Sequence, residues 1–311
     1  MSKYRKQHLV SQLVLRRFTQ AGQIIRVDLQ TGQRELRNPA SCMYKRGYIS
    51  ANPKEAEELW GTVERRLPPA LAALDAGTLF QNQNDVNAIK DCIALHFARS
   101  FGLLWTRRTA LDRAEAKVRA KILEEDRQFL ERQFYLRHHF YPAGSEGLQL
   151  AADEFIAEAE RLIDNPETFS KTVRETFEVV LARFGASELE ISSPEHGAGE
   201  FLIGDAPALT LRRGSLGGGP HGGVPIFEAD TVIMPLGPRH LASLSITERV
   251  HDLTQDQMTT VNRSQVINAF NEVCFRSGDL LPLVLAERPP ASLAGGAGPQ
   301  KPLESVPSRF N

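Results

Sequence analysis

The stretch Asn84-Asp85-Val86-Asn87-Ala88-Ile89-Lys90-Asp91-Cys92-Ile93-Ala94-Leu95-His96-Phe97-Ala98-Arg99 continues through Phe101, Leu104 and Trp105 to Arg108. Val86, Ile89, Cys92, Ile93, Phe97, Phe101, Leu104 and Trp105 recur at helical intervals and spread a broad apolar face. The spacing predicts one helix over 84–108. A face that wide needs partners, and the flanking sequence supplies them. Lys54 to Arg66 is rich in helix formers and is expected to end or kink at Pro68-Pro69. Asp112 to about His139 carries both signs of charge, as a solvated helix does. Asp153 to Ile163 continues the pattern. Pro166 to Phe184 follows, with Asn165 as N-cap and Pro166 at the first helical position.

Outside this bundle, expected over 53–186, the texture changes. At the start, about His8 to Thr19 reads as a short helix, with Leu9, Leu13 and Phe18 near one stripe. Gln23 to Leu29 alternates as a strand, Gln30-Thr31-Gly32-Gln33 makes a turn, and a second strand should follow. Arg46 to Ser50 looks extended. This helix and hairpin, residues 1–52, are too small to stand alone. From Glu188, short β-type runs appear at Phe201–Ile203, Leu209–Leu211, Thr231–Leu236 and Leu241–Ile246. A last helix is expected from about Asp256 to Phe275. The fold class predicted is α+β, mainly a helical bundle with an N-terminal β-hairpin and a C-terminal antiparallel sheet. Residues 1–284 are expected as one domain, with 187–284 its β-rich part and last helix. The Pro-, Ala- and Gly-rich tail 285–311 is expected to be disordered.

Composition narrows the class. Hydrophobic residues make up 41% and charged residues 24%, with a net charge of -1. No global field therefore draws the chain to nucleic acid or an anionic membrane, and any basic surface must be local. Arg outnumbers Lys about three to one, which fits either a GC-rich genome or recognition of phosphate and carboxylate by the planar Arg fork. Cys42, Cys92 and Cys274 are odd in number and form no C-x-x-C pair, so a reducing, cytoplasmic setting is expected. No apolar run reaches the ~20 residues that span a bilayer, and no signal peptide is legible.

The N-terminal run Lys6-Gln7-His8-Leu9-Val10-Ser11-Gln12-Leu13-Val14-Leu15-Arg16-Arg17-Phe18 puts polar and basic residues on a short apolar segment. Such an end frays unless it docks. The run resembles the signature K-Q-H-x-V-P-Q-x-x-L-R-x-F of a bacterial family known only as a domain of unknown function. Ser11 stands where that family has Pro, and Val14 where it has Tyr. The resemblance extends to a hairpin at Gly22 to Gln33, acidic residues two turns apart at Glu57 and Glu64, and a helix arginine at Arg99. It also covers Gly204-Asp205-Ala206-Pro207, Pro235-Leu236-Gly237-Pro238 and an asparagine-bearing helix at Asn262 and Asn268. It implies candidate positions and no reaction.

These positions suggest a constellation. His8, Glu64, His96 and Asp205 are the candidate catalytic residues, with Lys6, Gln12, Arg16 and Arg99 for substrate binding. His8 titrates near neutrality and suits acid or base work. Arg99 lies one turn after His96, which would place both on one helix face, Arg holding an anion and His moving a proton. The bland reading is a buried network in which Arg99 pairs with Glu64. No metal site is assigned: H-E-x-x-H and H-x-H are absent, and the lone E-x-x-H at Glu248–His251 has no twin. His138-His139 reads as a stabiliser of a helix end. The Gly214–Gly223 loop lacks both the P-loop ending and a following helix, and reads as a connection. Cys92 belongs to the core. The basic run from Arg107-Arg108 through Arg113, Lys117, Arg119 and Lys121 is diluted by acidic residues and reads as a solvated helix. The leading expectation is an enzyme acting on a phosphate-bearing substrate, nucleotide or nucleic acid. The alternative is a non-catalytic interaction or sensing module with a protein partner. The sequence specifies no cofactor.

Overall fold

The structure is a computed structural model, and it describes residues 6–106, 119, 121, 123–212, 223–245 and 252–288. The chain is α+β, as expected. Its N-terminal unit comprises β1 (Lys6–His8), α1 (Gln12–Leu15), β2 (Ile24–Asp28), β3 (Arg34–Arg37) and β4 (Tyr44–Arg46). The expected helix from His8 is corrected: His8 belongs to β1, whose backbone pairs antiparallel with β4, His8 opposite Tyr44. The helix starts only where the Ser11 hydroxyl accepts from Leu13 N at 3.3 Å, an N-cap that satisfies one otherwise unpaired amide. A 3-10 turn, Arg16–Phe18, completes the segment. Leu9, Val10, Val14, Leu15 and Phe18 are fully buried, so this end is docked.

The helical body comprises α2 (Pro53–Glu64), α3 (Leu67–Asp75), α4 (Gln83–Ala98), α5 (Arg127–His138), α6 (Gly144–Asp164) and α7 (Pro166–Phe184). Pro68 and Pro69 open α3 rather than merely ending α2. In a first turn the missing N–H costs nothing, because that donor has no helical acceptor. The cap of α7 is as expected: Asn165 Oδ1 accepts from Glu167 N at 2.8 Å. The single helix over 84–108 is corrected. Arg99 leaves helical geometry at φ -100°, ψ 55°, and helix resumes over 101–106. Ile89, Cys92, Ile93 and Ala94 are buried in the main core, which also takes Phe177, Val180 and Phe184 of α7.

The C-terminal part comprises β5 (Glu188–Ser192), β6 (Ile203–Gly204), β7 (Leu209–Leu211), β8 (Thr231–Gly237), β9 (His240–Ser245), α8 (Gln255–Asn268), β10 (Glu272–Phe275) and α9 (Leu281–Glu287). One antiparallel sheet has the order β5-β9-β8-β7, and another the order β3-β2-β10-β6. The last helix, expected to reach Phe275, stops at Asn268. Asp205 takes the amides of Phe270 and Asn271 at 2.8 and 2.9 Å, turning the chain so that β10 runs antiparallel to β2. The N-terminal hairpin is thereby built into a sheet with the C-terminal part. Residues 285–287 of the expected tail lie in α9, with Glu287 accepting from Arg263 at 2.8 Å. Residues 289–311, 214–222, the Glu248–His251 motif and the basic stretch from Arg107 to Lys117 lie outside the described residues. No described helix is long and apolar enough to cross a membrane.

Candidate functional site

Strand alternation in β1 sends neighbours to opposite faces. Gln7 is buried and its Oε1 accepts from Ile49 N at 2.8 Å. Lys6 and His8 face the other way. Ala40 O accepts from the Lys6 ammonium and, at 3.2 Å, from His8 Nε2. This bond assigns the ring proton to Nε2 and leaves Nδ1 as an acceptor; the Gln12 amide nitrogen stands beside the ring, 3.3 Å from Nε2 and 3.5 Å from Nδ1. Gln12 Oε1 in turn accepts from Arg16 at 3.4 Å. The Lys6 ammonium stands 4.1 Å from the centroid of the Tyr44 ring, a cation–π contact.

Helix α2 supplies the facing wall. Glu57, Trp60 and Glu64 are spaced by three and four residues and share one face. Arg99 enters because α4 ends there. Its side chain is 2% exposed; the guanidinium lies 5.2 Å from the Trp60 ring centroid and donates to Glu64 Oε1 at 2.6 Å. Between these walls lies a cleft of about 200 Å³. Lys6, His8, Gln12 and Arg16 line one side, and Glu57, Trp60, Glu64 and Arg99 the other.

Its electrostatics follow from burial and from the cations. Burial lowers the His8 pKa, Lys6 and Arg99 lower it further, and the Ala40 carbonyl and Glu64 act against them. His8 is therefore neutral at pH 7 and able to accept a proton. Burial raises the Glu57 carboxyl, with Glu64 adding to the effect and Gln7 and Arg99 opposing it. A base pushed down and an acid pushed up share one cleft, the arrangement that acid–base chemistry needs.

The structure thus brings together six of the eight sequence candidates: Lys6, His8, Gln12, Arg16, Glu64 and Arg99. His96 and Asp205 are not among the residues lining the cleft. The break at Arg99 separates His96 from it. His96 is fully buried, accepts from Ser11 N at Nε2 (2.9 Å) and donates from Nδ1 to Cys92 O (2.7 Å). Burial and Arg99 lower its pKa to about 3, so it is a neutral clamp that holds the N-terminal segment. His96→Leu leaves the Ser11 amide unpaired, and a loss of about 2 kcal/mol is expected. Urea melts check this; a variant as stable as wild type would remove the clamp role. Asp205 is fully buried on three N–H donors, the third being Asn271 Nδ2 at 2.9 Å.

Among the described residues no three metal-ligating side chains gather. Trp60 carried no signal as a site residue in the sequence, and Glu57 entered only through the family resemblance. Their 57-60-64 spacing, on a helix already suspected through Glu64, was the available clue. No curated protein and no solved structure matches the chain. Over residues 6–279 it matches the family described as Protein of unknown function (DUF4238), and it belongs to that family.

Proposed function

We propose that the protein is an enzyme acting on a phosphate-bearing substrate, a nucleotide or nucleic acid, in the cleft between β1 and α2. One observation carries this reading: Lys6, Arg16 and Arg99 surround a neutral His8 in a single cleft. Charge-assisted bonds from Arg and Lys hold phosphate oxygens, and a histidine poised as a base moves a proton. In hydrolysis, His8 Nδ1 takes a proton from the water attacking phosphorus. The P–O bond to the leaving group breaks with its electron pair going to the leaving oxygen, and Glu57 returns a proton there.

Thermal shift of the wild type and of His8→Ala, across nucleotides and short oligonucleotides with and without divalent metals, tests the reading. A ligand at 100 times its Kd stabilises by about 2.7 kcal/mol. At roughly 2–4 °C per kcal/mol, its effect on the midpoint is measurable. Turnover of that ligand is expected to fall by about 100-fold or more in His8→Ala. No shift with any phosphate compound sinks the proposal. The Arg99–Glu64 pair favours a second reading, a non-catalytic interaction or sensing module with a protein partner. That reading expects a large loss of stability in His8→Ala and no ligand shift.

A further inference from the structure

We propose that the cleft is built for a terminal phosphate, the end of a phosphomonoester, and that Trp60 Nε1 and Arg99 Nε at its floor are the donors that recognise it. The inference rests on the phosphate-substrate reading above and narrows it.

Three observations point the same way. First, Trp60 and Arg99 are each 2% exposed and both line the cleft. Each keeps one buried N–H, Nε1 and Nε, without a hydrogen-bond partner among the described residues. Buried donors left unpaired are uncommon and costly. Two on contacting side chains that line one cleft point to a ligand that brings oxygens. Trp donates only, and Arg accepts nothing, so the pair selects an acceptor-only group such as a phosphoryl.

Second, about 200 Å³ is less than the roughly 300–1,000 Å³ of sites that enclose a drug-sized ligand. It admits a phosphoryl group and the atoms next to it, and leaves the rest of a nucleotide or strand outside. Third, a phosphomonoester carries about -1.5 to -2 charges near pH 7, whereas an internal phosphodiester carries one. Glu64 already balances Arg99. Lys6 and Arg16 remain at the cleft to match a dianion, with Glu57 the opposing carboxylate and burial favouring its protonated form.

Both floor nitrogens are covered in the free protein. The ligand reaches them when the Arg99 guanidinium shifts over the Trp60 ring, with Nη2 keeping Glu64 while Nε turns to the phosphoryl oxygens.

The test uses the full chain and one short single-stranded DNA in two forms, 5′-phosphorylated and 5′-hydroxyl, labelled at the 3′ end and followed by fluorescence anisotropy. The phosphorylated form is expected to bind at least about tenfold more tightly. Trp60→Phe, which keeps the ring and removes the donor, is expected to abolish most of that preference. Equal binding of the two forms overturns the terminal-phosphate inference and leaves the phosphate-substrate reading intact. Binding of neither form, nor of inorganic phosphate, overturns both. Should Trp60→Phe fold poorly, the wild-type protein answers directly. The chain has two tryptophans, so its ¹⁵N spectrum holds two indole N–H signals, and Trp105 serves as the control. Inorganic phosphate is expected to move the Trp60 signal alone; an unmoved signal at saturating phosphate overturns the role of Nε1.

Discussion

Asp205→Ala is expected to lose at least about 3 kcal/mol of stability. Three donors end on this carboxylate: the amides of Phe270 and Asn271 and the side chain of Asn271. Alanine leaves all three without an acceptor, at about 1–3 kcal/mol each. The loss falls where α8 gives way to β10, so the sheet joining the N-terminal hairpin to the C-terminal part should open first. Hydrogen exchange should show β10 and β2 losing protection ahead of α4. An unfolding midpoint within about 2 °C of wild type would refute this account.

The same residue gives stability a pH dependence. Burial pushes the Asp205 carboxyl up to about 7 against its three N–H donors. Its pKa is raised on folding, so its contribution is full below about pH 4 and declines as pH rises toward 7. About three pH units at roughly 1.4 kcal/mol each make this about 4 kcal/mol. His96 acts oppositely. Its pKa is lowered to about 3, so the unfolded chain binds the extra proton, and stability is lost as pH falls from about 6.5. The two slopes oppose each other between about pH 4 and 6.5. Urea melts at pH 4.5, 5.5 and 6.5 should therefore vary little for wild type through these groups. In Asp205→Asn, stability should rise with pH; an unchanged pH profile would show that Asp205 does not titrate there.

What could be read from the sequence was local. Asn165-Pro166 marks a helix start by a side-chain oxygen and a fixed φ, both properties of neighbouring residues. The break at Arg99 and the turn before β10 depend on distant groups. Nothing between Val86 and Trp105 announces that the helix stops, and the turn at Phe270 is made by Asp205, 65 residues away. The site divides in the same way. His8 and Arg16 were visible because charge on an apolar end is conspicuous, and Glu64 with Arg99 through the family resemblance. His96 looked equivalent to Arg99 only while one continuous helix carried both. A net charge of -1 also concealed three cations lining one cleft, because composition averages what the fold gathers.

Arg99 offers the sharpest division between holding the fold and holding a ligand. Arg99→Ala removes the ion pair with Glu64 and the stack on Trp60. Breaking a fully buried pair costs about 3–5 kcal/mol. Glu64 is 31% exposed and can relax into water, so about 2–4 kcal/mol is expected here. Arg99→Lys keeps the charge but loses the planar fork and the stack, and should cost about 1–2 kcal/mol. In a double-mutant cycle, Arg99→Met with Glu64→Gln should recover part of the loss, since no ionised carboxylate is then left without its partner. The arginine forms the ion pair with Glu64 in the free protein, and on the reading proposed above it also grips phosphate in the bound one. Recovery of stability in the double variant should therefore bring no recovery of phosphate binding. A double variant that regains both would make Arg99 a fold element alone, and one that regains neither would place its main partner in the Trp60 stack rather than at Glu64.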